Sequence, residues 1–178
     1  VKIDTQGKEL HFKTGNTIEY GYLIIALGSE PNYFDIEGLM EHALPLKSFA
    51  DALRIRERIL ELVEVEQRPG VRIVIGGGGP TGVELSGEIK NLLHELPRVI
   101  RGECADKVTI VDGGATILSS FDSRVITAAQ KRLEYLEVET LSGKRISLVD
   151  AEIVGLNDGS KLPYDLLIWT GGVMPHHL

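Results

Sequence analysis

The feature that most constrains this chain is Gly77-Gly78-Gly79-Pro80-Thr81-Gly82, a GxGxxG run. It follows the apolar stretch Val71 to Ile75 and leads into Leu85, Ile89, Leu92 and Leu96 at helical spacing. A strand that turns on glycine into a helix is the context that separates a functional glycine loop from a chance match. Each glycine has its own task. Gly77 permits the tight turn, Gly79 presents no Cβ to a ligand nearing the backbone, and Gly82 lets the helix lie close on the sheet. Pro80 costs little in a first helical turn, where its missing N–H had no partner. The free amides and positive end of such a helix favour phosphate, so Gly77 to Gly82 reads as a cradle for a dinucleotide pyrophosphate.

The flanking pattern sets the architecture. Ser48 with Asp51 is an N-capping signal for a helix carrying Ala52, Ile55, Ile59 and Leu62, stopped by Arg68-Pro69-Gly70. Lys107 to Val111 is a second apolar strand closed by Asp112, and Ser123 to Leu136 forms a third helix. Val138 to Leu162 breaks into short alternating segments, Glu139-Thr140-Leu141, Ile146-Ser147-Leu148 and Ile153 to Leu156. These are expected as meander strands, with Asp158-Gly159 the hairpin signal. Leu166 to Thr170 is a last strand ending in Gly171-Gly172. Before the helices, Val1 and Ile3 and then Leu10 and Phe12 predict two short strands joined at Gly7. Tyr20 to Leu27 predicts a strand covered on both faces, and Asn32 to Leu46 an aperiodic connection. The expected fold is α/β and Rossmann-like, a central parallel sheet with helices on one face and an antiparallel β-meander on the other.

Composition narrows the partners. With 19 Lys and Arg against 26 Asp and Glu, the net charge of −7 disfavours a nucleic-acid backbone. The single cysteine, Cys104, builds no disulfide framework, CxxC pair or thiolate metal site, which fits a reducing, cytoplasmic setting. His11, His42, His94, His176 and His177 show no ligand spacing, so no metal is assigned. The longest apolar runs are far too short to span a bilayer.

Asp112 ends the second strand of the unit, where an acidic residue accepts hydrogen bonds from the adenosine ribose. Its carboxylate repels a 2′-phosphate, and no Arg or Lys lies between Asp112 and Asp122, so NADH is expected over NADPH.

From Arg72 through the glycine loop to Val83-Glu84-Leu85-Ser86-Gly87-Glu88, the chain resembles the type II NADH dehydrogenases, single-subunit NADH:quinone oxidoreductases that use FAD. Tyr22 to Ser29 resembles that family's crossing between its FAD and NAD domains. His42 to Ser48 with Asp51-Ala52 resembles the entry to the NAD domain, and Leu166 to Val173 the return. The resemblance implies remnant FAD-domain strands and a crossover over 1–47, an NAD-binding domain over 48–163 and a return strand over 164–178.

It further implies a carboxylate at Glu84 facing nicotinamide and flavin, and backbone at Gly171 and Gly172 beside the nicotinamide carboxamide. Leu27 and Gly28 would face FAD in a complete parent, with quinone as acceptor there and a homodimer as one assembly. The family's FAD glycine motif and its Gly-Asp motif near the flavin lie outside this sequence, which is expected to be a fragment that binds NADH without turnover. The parent is expected to be cytoplasmic or peripheral on the cytoplasmic face of a membrane. Glu88 pairs like charges with Glu84 one turn away and is expected at the surface. Gly87 fits close helix packing. Two departures stand out: Asp112 occupies a position usually held by Glu, and Glu137 one commonly held by Gly.

The same fold would also serve another FAD-dependent reductase, such as a ferredoxin or nitrite reductase component, or a nucleotide-sensing module without redox work. The unpaired Cys104 speaks against disulfide reductases and sulfide:quinone oxidoreductases, whose chemistry uses paired cysteines.

Overall fold

The computed structural model describes residues 1–96 and 106–177. Cys104 therefore lies outside the described residues. The chain divides into two compact units, Val1–Glu30 with Val173–Leu178, and Pro31–Gly172.

The first unit opens with a three-stranded antiparallel sheet, β1 (Lys2–Asp4), β2 (Glu9–His11) and β3 (Thr17–Glu19). Asp4 fixes the β1–β2 turn because its Oδ1 accepts the N–H groups of Gln6 and Gly7 at 2.9 and 2.8 Å. The third strand was not evident from the sequence, since β3 is exposed throughout and has no apolar face. The expected strand Tyr20 to Leu27 does not form, and the chain is irregular from Tyr20 to Gly28 before β4 (Ser29–Pro31). Tyr22 is 98% exposed and Ile24 88%, so this apolar run has no sheet to enter.

In the second unit, the expected connection contains a short helix, α1 (Leu39–His42), and a strand, β5 (Ala43–Pro45). Neither is long enough to show a period. Helix α2 (Phe49–Leu60) starts on a complete capping box, Ser48 and Asp51 each taking the other's backbone N–H, and continues as one π-helical segment, Glu61–Val65. Then come β6 (Arg72–Gly76), α3 (Pro80–Glu95), β7 (Lys107–Asp112), α4 (Ser123–Tyr135) and β8 (Val138–Ser142). Strand β8 pairs parallel with β7, Val108 opposite Val138, and so belongs to the central sheet, not to the meander. The α4 crossover returns the chain in the same direction, which a hairpin connection cannot do. Its residues alternate because β8 is the edge strand, covered less fully than its neighbours.

The meander is β9 (Ile146–Val149), β10 (Ile153–Leu156) and β11 (Lys161–Pro163), with Gly159 at φ 85° in the β10–β11 hairpin. Strand β12 (Leu166–Trp169) inserts between β5 and β6, giving the order β5-β12-β6-β7-β8, and β13 (Val173–Pro175) pairs with β4 in the first unit. The expected boundaries after residues 47 and 163 fall inside the second unit, because β5 and β12 are strands of its main sheet.

Two cores flank that sheet, and strand alternation assigns residues to them. Ile73, Ile75, Val108, Ile110, Leu166 and Ile168 join Ile55 and Ile59 of α2, Ile89 and Leu93 of α3 and Leu133 of α4. Val74, Val111, Leu167 and Trp169 point the other way, against Ile146, Val149, Val154 and Leu156 of the meander sheet. Helices thus cover one face and the meander the other. Each large aliphatic side chain buried here contributes roughly 1.5–3 kcal/mol.

Candidate functional site

The chain leaves β6 for β7 and β8 on one side, while β12 lies on the other, so the strand order reverses between β6 and β12. Ligands of open parallel sheets bind in the crevice outside the carboxyl ends of the strands at such a reversal. The glycine loop sits there. Gly77 has φ 114°, a conformation L side chains rarely adopt, and a Cβ on it would stand 2.7 Å from Gly171 Cα. Gly82 approaches the loop so closely that a Cβ would meet Gly77 O at 2.0 Å. Around Gly79, by contrast, nothing lies within 4 Å of a Cβ position. The three glycines therefore divide their work: two are required by contact within the protein, and the third borders open space.

Gly79 is the N-cap of α3 and Pro80 its first residue, and no side chain caps this end. Its first-turn amides, including those of Thr81 and Gly82, have no partner within the helix and are free to face an anion. A pyrophosphate fits this cradle by charge, by the open space at Gly79 and by the supply of N–H donors.

Hydrogen bonds fix the loop from three sides. Gly77 N–H donates to Val111 O at 2.8 Å, Gly78 N–H to Asp112 Oδ2 at 2.6 Å, and Leu118 N–H to Gly78 O at 2.8 Å. Thr170 secures the β12 side, its N–H donating to Gly76 O at 2.8 Å and its hydroxyl lying 3.1 Å from both Gly76 O and Gly77 O. Thr170 was not singled out from sequence, although a polar residue closing an apolar strand beside two glycines marks it.

Asp112 lies at the carboxyl end of β7 as expected, but its carboxylate also holds the loops. One oxygen accepts from Gly78 and the other from Gly114 N–H at 2.7 Å. The β8–β9 turn lies against the same segment, with Gly143 N–H donating to Gly114 O at 2.7 Å and Lys144 N–H to Asp112 O at 3.1 Å. Arg145 covers Gly113, where a Cβ would stand 3.0 Å from its Cγ and Nε. The residues between Asp112 and Asp122 are thus not the whole neighbourhood, because pairing of β8 with β7 brings a distant turn to this loop.

Gly171 adjoins the glycine loop and Gly172 follows it, and packing alone accounts for the lack of a side chain at both. A Cβ on Gly171 would lie 2.5 Å from the Trp169 ring, and one on Gly172 2.9 Å from the Phe34 ring. Glu84 and Glu88 are exposed on α3, and Gly87 is half-buried, with Leu136 Cδ1 3.5 Å from a Cβ position. Leu27 and Gly28 lie in the first unit, Leu27 46% exposed and Gly28 at φ 73°. An open cleft of about 710 Å³, lined by His42, Arg54, Arg58 and Asp165 among others, is bordered by none of the glycine-loop residues.

In the first unit the structure brings together what spacing could not. Glu30 Oε1 lies 2.8 Å from His177 Nδ1 and 3.2 Å from His176 Nε2, and the two imidazoles stack at 4.4 Å. These are the separations of hydrogen bonds to one carboxylate oxygen.

Comparison with known proteins gives the family and the fold. The model of the pyridine nucleotide-disulphide oxidoreductase family matches residues 1–178. The chain belongs to that family. It is 30% identical to the external alternative NAD(P)H-ubiquinone oxidoreductase B1 of Solanum tuberosum mitochondria, over 97% of this chain and 34% of that protein. It is 32% identical to the internal alternative NAD(P)H-ubiquinone oxidoreductase A1 of Arabidopsis thaliana mitochondria, over 98% of this chain and 38% of that protein. Among solved structures it matches NDH2 of Plasmodium falciparum in complex with NADH, with a TM-score of 0.84 and 25% identity over 99% of this chain and 40% of that one. The chain thus spans about a third of the length of the curated relatives it matches. The pyridine nucleotide-disulphide oxidoreductase fold accounts for the parallel sheet, the helical layer and the meander. No helix among the described residues is long and apolar enough to cross a membrane.

Proposed function

We propose that this chain is the NADH-binding part of an FAD-dependent NADH:quinone oxidoreductase of the type II kind. The observation that carries the reading is the glycine loop at the strand-order reversal, open at Gly79 and closed against Gly171. Gly77, Gly78, Gly79, Pro80, Thr81 and Gly82 hold the pyrophosphate, chiefly through backbone amides at the start of α3. Asp112 accepts from the adenosine ribose while keeping Gly78 and Gly114 in place. Gly171 and Gly172 line the nicotinamide side.

Glu84, exposed one turn into α3, faces the nicotinamide and the flavin edge in the complete protein, where Leu27 and Gly28 border FAD. Residues 1–47 and 164–178 then supply the crossover and return between the FAD and NAD domains. The bound cofactors would supply the redox chemistry, hydride transfer from nicotinamide to flavin with a quinone as the final acceptor. The protein binds, orients and excludes water. The parent is read as cytoplasmic or as a peripheral protein on the cytoplasmic face of a membrane, with a homodimer as one assembly.

Calorimetric titration with NADH tests this. Wild type binds, Gly79→Val abolishes binding by filling the open space at the cradle, and Asp112→Ala weakens it. Absence of binding by wild type, or a Gly79→Val variant that binds as wild type does, overturns the reading.

A further inference from the structure

The neighbourhood of Asp112 contains a cation that the local sequence does not. We propose that Arg145 is a specificity-determining residue that receives a phosphate on the adenosine ribose, so that this chain takes NADPH as well as NADH. This rests on the dinucleotide reading above and extends it to the choice between the two cofactors.

Position comes first. In a dinucleotide-binding unit the acidic residue ending the second strand stands beside the adenosine ribose, and a phosphate on the 2′-hydroxyl reaches the backbone just past that residue. Here that backbone is Gly113-Gly114, and the Arg145 stem and Nε lie directly over Gly113. A side chain at Gly113 would displace Arg145; glycine keeps the guanidinium close to the loop.

Anchoring comes second. Arg145 N–H donates to Asn157 Oδ1 at 2.9 Å, and Asn157 N–H donates back to Arg145 O at 2.9 Å. Lys144, its neighbour, has its ammonium held by Asp158. Among the described residues no carboxylate forms an ion pair with Arg145, so its charge is not committed to any of them. A guanidinium is always charged and presents a planar fork that matches a phosphate with two parallel hydrogen bonds.

The objection to NADPH is the negative charge of Asp112. Both its oxygens accept backbone N–H groups, from Gly78 and Gly114. The carboxylate is thereby turned toward the loops and its charge partly balanced by their dipoles. The 2′-phosphate then meets Arg145 on one side and a backbone-engaged carboxylate on the other.

The test titrates the purified protein with NADH and NADPH in wild type, Arg145→Ala and Arg145→Lys. Wild type is expected to bind the two within about tenfold of each other. Arg145→Ala is expected to lower NADPH affinity at least about tenfold more than NADH affinity, the scale of a lost charge-assisted hydrogen bond. Arg145→Lys is expected to restore part of that ratio, since an ammonium keeps the charge but not the fork. A ratio unmoved by Arg145→Ala overturns the proposal, as does a wild type that binds NADH but takes NADPH more than about a hundredfold more weakly. Failure of wild type to bind either nucleotide would instead overturn the dinucleotide reading itself.

Discussion

Two apolar runs of similar composition meet opposite fates. Leu166-Leu167-Ile168-Trp169 is buried at every position, while Tyr22, Ile24 and Ile25 are 98%, 88% and 61% exposed. Strand propensity does not separate them, since both are rich in Leu and Ile. Partners do. β12 pairs with β5 on one side and β6 on the other, and its faces meet the helical core and the meander core. The Tyr20 to Leu27 segment has no sheet neighbour among the described residues. A continuous apolar run therefore states a need for two flanking strands and two covering layers, and whether that need is met depends on residues far away in sequence.

The most direct way to break the comparison is to truncate the buried run. Ile168 is fully buried and aligned with Ile75 across the sheet. Ile168→Ala is expected to cost about 4 kcal/mol through lost transfer energy and the cavity left behind, measured by urea unfolding. A cost under about 1 kcal/mol would show that β12 is held by its hydrogen bonds and not by its layers.

A smaller effect is expected where β12 begins. The Asp165 side chain is only 2% exposed and accepts from Arg68 Nη1 at 2.5 Å, Arg72 Nη2 at 2.7 Å and Arg72 N–H at 2.7 Å. Burial pushes its carboxyl pKa up, but the Arg72 hydrogen bonds and the two guanidinium charges outweigh that, leaving it below the ordinary value. A depressed carboxyl stabilises the fold above its unfolded pKa near ~4, and that contribution is lost as pH falls through the folded value. Asp165→Asn is expected to cost about 2 kcal/mol at neutral pH. The variant is also expected to lose less stability than wild type between about pH 4 and pH 2. Parallel pH profiles for the two proteins would remove Asp165 from the account of how β12 is anchored.

Much of this was legible beforehand, and the exceptions share a cause. The glycine loop, the Ser48 and Asp51 cap, the β6 and β7 runs and the Asp158-Gly159 hairpin are local signals, and each appears where expected. β5 is not legible because three residues cannot show a period, and β8 reads as a meander strand because an edge strand alternates as a hairpin strand does. At the site, the positions of the three glycines followed from the motif. Thr170 and Arg145 did not, because what they touch is set by strand pairing across distant segments.

Glu137 offers a stabilising change, at the entry to β8. It follows α4 with φ 55°, a left-handed conformation that favours glycine, and its N–H donates to Glu134 O at 3.0 Å. Glu137→Gly is expected to raise stability by about 1 kcal/mol, relief of left-handed strain exceeding the added chain entropy. A decrease would mean that the side chain contributes more than the backbone conformation costs.

The smallest expected effect sharpens the comparison most. Ile24→Ser removes an isoleucine from the exposed run, and with the side chain 88% exposed it is expected to change unfolding free energy by less than about 0.5 kcal/mol. The same polar change at Ile168 would be ruinous, because a hydroxyl would be buried without a partner among aliphatic side chains. If Ile24→Ser instead costs 2 kcal/mol or more, the run is covered in solution by a surface absent from this chain alone, such as a second copy, and the stability of wild type would then rise with protein concentration. Measuring both variants at two protein concentrations separates an apolar run that lacks its layers from one that has borrowed them.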